Sequence, residues 1–306
     1  SVLSIGSDAF VTQCGGQKSR AGLSYVWTVS SSGVEVSTST VVIKDPSKLR
    51  LPAYFLDVGT LYDITLRVTI DATLQSSSAS VQVYVSPGNV VAVTSKGLSR
   101  SVRVEEALTI DGSESYDEDQ AGVTGQNAGL SYTWSCVQVQ PVLSNTCDDI
   151  FTVLSTSASA HELSLSAKAS AANAVAQVSM LVLDSSQSRT AEAIVMVTIQ
   201  PSLSPVVTIG SNIGGTGAIN VDRELQLTGT VVLPAFYNGT AAWSVDDTSN
   251  FDFKSAVRSP VSTFISSSSQ VKATNVYMSI RPNSMPGRSV LKFMLSARMP
   301  FGGFTS

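Results

Sequence analysis

Leu108 and Ile110 alternate with Thr109, and further on Leu130, Tyr132, Trp134 and Cys136 share one face of a run whose other face is Ser131, Thr133 and Ser135. A period of two predicts half-buried strands at both places. Asp111-Gly112-Ser113 interrupts the first with turn chemistry. A strand, an acidic turn and a second strand carrying a Trp predict the middle of a β-sandwich. The same alternation runs through residues 59–70, Ser80–Val85, Val178–Leu183, Ala193–Ile199, Val206–Ile209, Glu224–Val232, Val276–Ile280 and Val290–Ala297. Asp184–Ser188 reads as a turn. The Ala-rich stretch His161–Ala176 fits either a strand or a helical turn.

The pattern repeats. Trp27, Trp134 and Trp243 lie 107 and 109 residues apart, in G-L-S-Y-V-W-T-V, G-L-S-Y-T-W-S-C and N-G-T-A-A-W-S-V. One sandwich takes about 100 residues, so this period predicts tandem modules in an all-β chain. Ser86-Pro87-Gly88-Asn89 and Gln200-Pro201-Ser202 punctuate it, giving modules at 1–87, 88–201 and 202–306. Ser1–Asp8 resembles Ala107–Glu114, the second strand of module two. Module one is therefore expected to lack its first strand within this sequence, and module three its last.

Composition narrows the function. Charged residues make up 14% of the 306, against about 25% in an ordinary chain, and Ser, Thr, Ala and Val fill the deficit. A net charge of −4 gives no footprint for nucleic acid or acidic lipid. No apolar run reaches the roughly 18 residues of a membrane span. The chain opens without Met or a signal-peptide core, so it is expected to be an internal piece of something longer.

The quoted stretches resemble the PKD and REJ (receptor for egg jelly) modules of polycystin-type surface proteins. Leu108-x-Ile110-Asp111-Gly112-Ser113-x-Ser115-x-Asp117-x-Asp119 and Leu130-Ser131-Tyr132-Thr133-Trp134-Ser135-Cys136 carry the likeness, with Leu51-Pro52-x-Tyr54 and Gly59-x-x-Tyr62-x-Ile64-x-Leu66-x-Val68 in module one. It is good over about 1–200 and weak in module three, which keeps the Trp but not the acidic turn. PKD modules continue after the Trp with an acidic, Gly-containing turn; here Ser-Cys-Val-Gln follows, which favours REJ. The resemblance implies a non-catalytic extracellular array of three Ig-like sandwiches on a cell surface, of the kind found on cilia, flagella or gametes.

Candidate chemistry is sparse. The single histidine, His161, is followed by Glu162 but no second His of a zinc-protease helix, no G-x-S-x-G elbow occurs, and Gly215-Thr216-Gly217 lacks the third glycine of a dinucleotide loop. No enzyme and no resident cofactor are expected. Cys136 and Cys147 flank a ten-residue loop, and in a secreted module they read as a local disulfide or as two buried thiols. Cys14 has no evident mate. Asp111, Asp117 and Asp119 are candidate Ca²⁺ ligands, set against an ordinary turn in which Asp111 and Ser113 cap backbone amides. Asn238-Gly239-Thr240 is an N-glycosylation sequon in an expected loop, and Asn145-Thr146-Cys147 the rarer Cys form. Trp27, Trp134, Trp243, Tyr62 and Tyr132 are expected in the cores, with Tyr62 a tyrosine-corner analogue.

The expected function is a stalk or assembly surface that contacts neighbouring modules or other extracellular chains. A ligand- or glycan-recognition ectodomain and a spacer within a secreted enzyme are the alternatives.

Overall fold

The computed structural model describes residues 2–12, 15–154, 160–213, 218–246, 251–267 and 271–300; Cys14 lies outside them. The chain divides into two compact units, Ser1–Gly88 with Asp119–Ala121, and Asn89–Glu118 with Gly122–Ser306. Almost all regular structure is β, arranged as three Ig-like sandwiches.

The first unit contains β1 (Leu3–Gly6), β2 (Val11–Thr12), β3 (Lys18–Ser19), β4 (Leu23–Ser31), β5 (Val34–Val36), β6 (Lys48–Leu51), β7 (Leu61–Ile70) and β8 (Ser76–Tyr84). An antiparallel sheet runs β5-β4-β7-β8, and β1 pairs with β6. Alternation decides the inward face: Tyr62, Ile64 and Leu66 of β7 are buried, and Leu49 and Leu51 of β6 share one cluster with Tyr62 and Ile64. Leu3 and Ile5 of β1 and Trp27 of β4 pack against the same cluster.

The second unit opens with β9 (Val90–Val91), β10 (Ser99–Arg103), β11 (Ala107–Asp111) and β12 (Tyr116–Asp117). It continues with β13 (Ser131–Gln140), β14 (Phe151–Val153), β15 (Glu162–Ala167), β16 (Val175–Leu183) and β17 (Thr190–Gln200). The sheet β10-β17-β16-β13 faces β11-β15-β14, with β10 parallel to β17 and every other pair antiparallel. The ambiguous Ala-rich stretch resolves into β15 and a 3₁₀ turn at Ala169–Ala171. Ala167, Ala171, Ala174 and Ala176 are all buried there, where larger side chains would not fit a filled core.

The same unit then forms β18 (Val206–Ser211), β19 (Leu225–Val232), β20 (Asn238–Val245), β21 (Ser262–Ser266), β22 (Ala273–Ile280) and β23 (Phe293–Arg298). Here β18-β19-β22 faces β21-β20-β23 across a core of Leu225, Leu227, Val231, Trp243, Val276, Met278, Ile280 and Leu295. Gly229 is required on β19: a Cβ at that position would stand 2.2 Å from Leu295 Cδ2 and 2.9 Å from Trp243 Cζ2. In this stretch β21 and the single turn Phe253–Ala256, whose Asp252 cap accepts the Ser255 N–H, had no sequence signal, as β14 had none before them. Asn238 was expected in a loop; it is the first residue of β20, half-buried and in register with Ser266. Asn238-Gly239 breaks no strand because Gly239 is itself sheltered, with Leu233 and the Arg298 carbonyl where a Cβ would point.

Candidate functional site

The acidic turn is an anchor made of separate carboxylates. Asp111 closes it locally: its side chain accepts the Ser113 N–H at 2.8 Å and the Ser113 hydroxyl at 3.0 Å. Gly112 between them lies against Met180, whose Sδ would be 2.2 Å from an added Cβ, so the glycine lets the turn sit on the core. Ser115 is fully buried, accepting the Val93 N–H at 3.0 Å.

Asp117, 3% exposed, is held by Arg189 in a two-pronged contact, Nη1 at 3.0 Å and Nη2 at 2.7 Å. The same guanidinium reaches Asp184 through Nε at 3.2 Å. Asp184 opens the β16–β17 turn, accepting the Ser186 hydroxyl at 2.7 Å and the N–H groups of Ser188 and Arg189 at 2.9 and 3.1 Å. These donors, the Ser186 hydroxyl foremost, hold its carboxyl well below the usual carboxylate range, although burial pulls the other way.

Asp119 accepts the Gly88 N–H with both oxygens, at 2.9 and 3.0 Å, and Glu118 accepts that of Asn89 at 2.9 Å. Asp111, Asp117 and Asp119 thus each accept from groups of the protein itself. Among the described residues no group of three or more His, Cys, Asp or Glu side chains is placed to hold a metal ion, whereas Ca²⁺ takes about six to eight oxygens at one point.

Cys136 on β13 and Cys147 form a disulfide with Cα atoms 5.6 Å apart. It closes a loop in which Gln138 and Ser144 exchange both backbone hydrogen bonds at 3.0 Å, and Cys147 joins the core beneath β11 and β15. With a sequence separation of 11, replacing both cysteines by alanine should lower stability by about 3 kcal/mol, most of it through the freer unfolded chain. A thermal melt of the double variant checks this, and an unchanged midpoint would show the loop to be held by its hairpin alone.

The aromatic residues divide. Tyr62 and Tyr132 are buried. The Tyr62 hydroxyl accepts the Asp57 N–H at 2.8 Å, the backward bond of a tyrosine corner. Trp243 is buried, whereas Trp27 and Trp134 are half-buried at the rims of their cores. Their indole N–H groups donate to backbone carbonyls, Trp27 to Pro46 at 2.9 Å and Trp134 to Ala160 at 2.8 Å.

Inside the second unit a polar junction joins β10 to the strands that follow it. Arg103, 3% exposed, donates from Nε to the Ser204 carbonyl and from Nη2 to the Val232 carbonyl, each at 2.6 Å, and from Nη1 to Glu106 at 2.9 Å. Ser101 bonds both the N–H and the carbonyl of Val207 at 3.3 Å. Arg100, three residues before Arg103, is also buried, and desolvation pushes its guanidinium down to about 10. Neither Arg103 nor Arg189 stood out in the sequence. Arg103 sits between Val102 and Val104 at a strand end, where alternation no longer says which way a side chain turns.

The REJ domain model matches residues 13–299. No curated protein sequence matches the chain. Among solved structures, chicken VE-cadherin EC1-2 is 12% identical with a TM-score of 0.27, covering 65% of this chain and 92% of that one. The three N-terminal domains of the bacteriophage RB49 Hoc protein are 9% identical with a TM-score of 0.29, covering 98% and 86%. A nucleoside hydrolase-related protein from Saccharophagus degradans is 13% identical with a TM-score of 0.28; 38% of this chain aligns, over 26% of that one. Scores this low place the chain with none of them.

Proposed function

The chain belongs to the REJ domain family, and from that premise we propose that it works without catalysis, as an extracellular assembly segment of a cell surface, ciliary or flagellar. A REJ domain built of Ig-like sandwiches fits an extracellular interaction or structural module. In this reading the modules run 1–87, 88–201 and 202–306, Asn238 carries an N-glycan, and the partners are neighbouring modules and other extracellular chains.

The observation that carries the proposal is Arg103. A buried guanidinium with its donors spread over two carbonyls and a carboxylate fixes the geometry between module two and module three. A chain whose task is spacing and contact needs such a fixed joint, because inter-domain motion is the default where interfaces are small.

Replacing Arg103 by leucine takes the guanidinium donors away from the half-buried Ser204 and Val232 carbonyls, at a cost of about 1 kcal/mol each. The expected result is a broadened small-angle scattering profile and new protease cleavage near Pro201, with Trp243 emission unchanged. Unaltered scattering and cleavage would remove the fixed-joint model. No helix among the described residues is long and apolar enough to cross a membrane.

A further inference from the structure

The sequence holds one Asn-x-Ser/Thr triplet, Asn238-Gly239-Thr240. The two most exposed phenylalanines among the described residues flank it, Phe236 at 59% and Phe264 at 69%. Single apolar residues on a surface are ordinary, but two bare aromatic rings around one acceptor site form a patch that something should cover.

The sheet fixes how Phe264 lies. Along β20, Gly239 and Ala241 are buried, Asn238 is half-buried and Thr240 exposed. Asn238 and Thr240 therefore share the outer face. On β21, Ile265 enters the core and Phe264 stands outward. Phe264 is in register with Thr240, and Ser266 with Asn238. That makes Phe264 the diagonal neighbour of Asn238, about 7–8 Å away on the pleat, a gap that an asparagine side chain and one sugar ring together bridge.

Phe236 precedes the acceptor by two residues. It stands third in a turn closed by the Tyr237 N–H on the Pro234 carbonyl at 3.3 Å, and it holds φ at 66°. A left-handed backbone is costly for a bulky residue and cheap for glycine. A sequence keeps such a residue where its side chain has a task.

We infer that Phe236 and Phe264 are the seat of an N-glycan's first sugar. The N-acetylglucosamine linked to Asn238 Nδ2 packs its C–H groups against the two aromatic faces, whose negative quadrupole attracts them. The sugar takes from water two rings that the polypeptide leaves bare. The inference rests on the reading of Asn238 as a glycan carrier and adds what the glycan does there. It also sets the glycan at the turn that follows Val232, whose carbonyl accepts Arg103.

The test compares one polypeptide in two states. The first is secreted from glycosylating cells and trimmed enzymatically to a single N-acetylglucosamine. The second is made without the glycosylation machinery, under conditions that form the Cys136–Cys147 bridge. The sugar should raise the thermal midpoint of the second unit by about 2–4 °C, the shift that a gain the size of one aromatic contact produces in a unit of this size. In the occupied fraction of the double variant Phe236→Ser, Phe264→Ser the gain should vanish. Both residues are exposed, so this variant should fold. Sugar proton resonances should lie upfield in the ring currents of the parent and return to their free values in the double variant.

Peptide mass mapping separates the two ways of failing. Occupied Asn238 with no gain in the parent, or with an equal gain in the double variant, overturns the seat and leaves Asn238 a glycan carrier. An unmodified Asn238 in the secreted chain removes both.

Discussion

Replacing Arg189 by leucine should cost the second unit about 3–5 kcal/mol, the penalty for leaving a buried carboxylate without its counter-ion. Asp117 is 3% exposed and takes both Nη atoms of Arg189. Urea unfolding followed by near-ultraviolet circular dichroism measures the loss. The double variant Asp117→Asn, Arg189→Leu should recover part of it, because the unpaired charge is gone; the difference between the cycle's arms gives the coupling. A single-variant loss below about 1 kcal/mol would mean the pair is screened like a surface ion pair.

The companion carboxylate sets a pH dependence. Asp184 has its pKa depressed in the folded chain, so its contribution is complete above its unfolded value of about 4 and is lost as pH falls toward the folded one. Asp184→Asn should therefore flatten the acid limb of stability below about pH 4 and leave the neutral-to-alkaline side parallel to the parent.

Trp243→Ala should be the most damaging aromatic truncation, about 3–5 kcal/mol for a large-to-small change in a filled core. Trp243 is 5% exposed and touches the space above Gly229, with Leu295 opposite it in register. Trp27→Ala should cost less, because Trp27 is half-buried and borders an open groove in the first unit. Denaturant melts of the two variants decide the order, and equal losses would mean that the first unit's groove is closed in solution. Gly229→Ala should destabilise in the opposite sense, by overfilling, at about 1–3 kcal/mol.

The acidic turn shows where local reading stops. Asp111 capping Ser113 depends on residues two apart and is visible in D-G-S. Asp117 meeting Arg189 joins positions 72 apart, and no local pattern encodes that. The candidate Ca²⁺ set of Asp111, Asp117 and Asp119 looked coherent in the sequence because the carboxylates are neighbours there. In the fold Asp111 accepts from Ser113, Asp117 from Arg189 and Asp119 from the Gly88 N–H. The same limit hid Arg103, whose partners Ser204 and Val232 lie 101 and 129 residues away.

Whatever depends on period and short range could be read from the residues in order. Alternation located most strands and their inward faces, since a pleated strand turns successive side chains to opposite sides whatever it packs against. Trp spacing indicated the repeat, and a separation of 11 brought Cys136 and Cys147 within reach of each other. Which of two like strands is covered depends on segments remote in the chain. Val81 and Val195 each stand two residues after an alanine and two before a valine, and each faces an aliphatic residue of the adjacent strand, Ile64 and Val178. One is exposed and the other buried because a strand's second edge and inner face are closed by segments distant in the chain. Burial of Arg103 and Arg189 belongs to that second class, since a charge can enter a core only where remote carbonyls and carboxylates already converge.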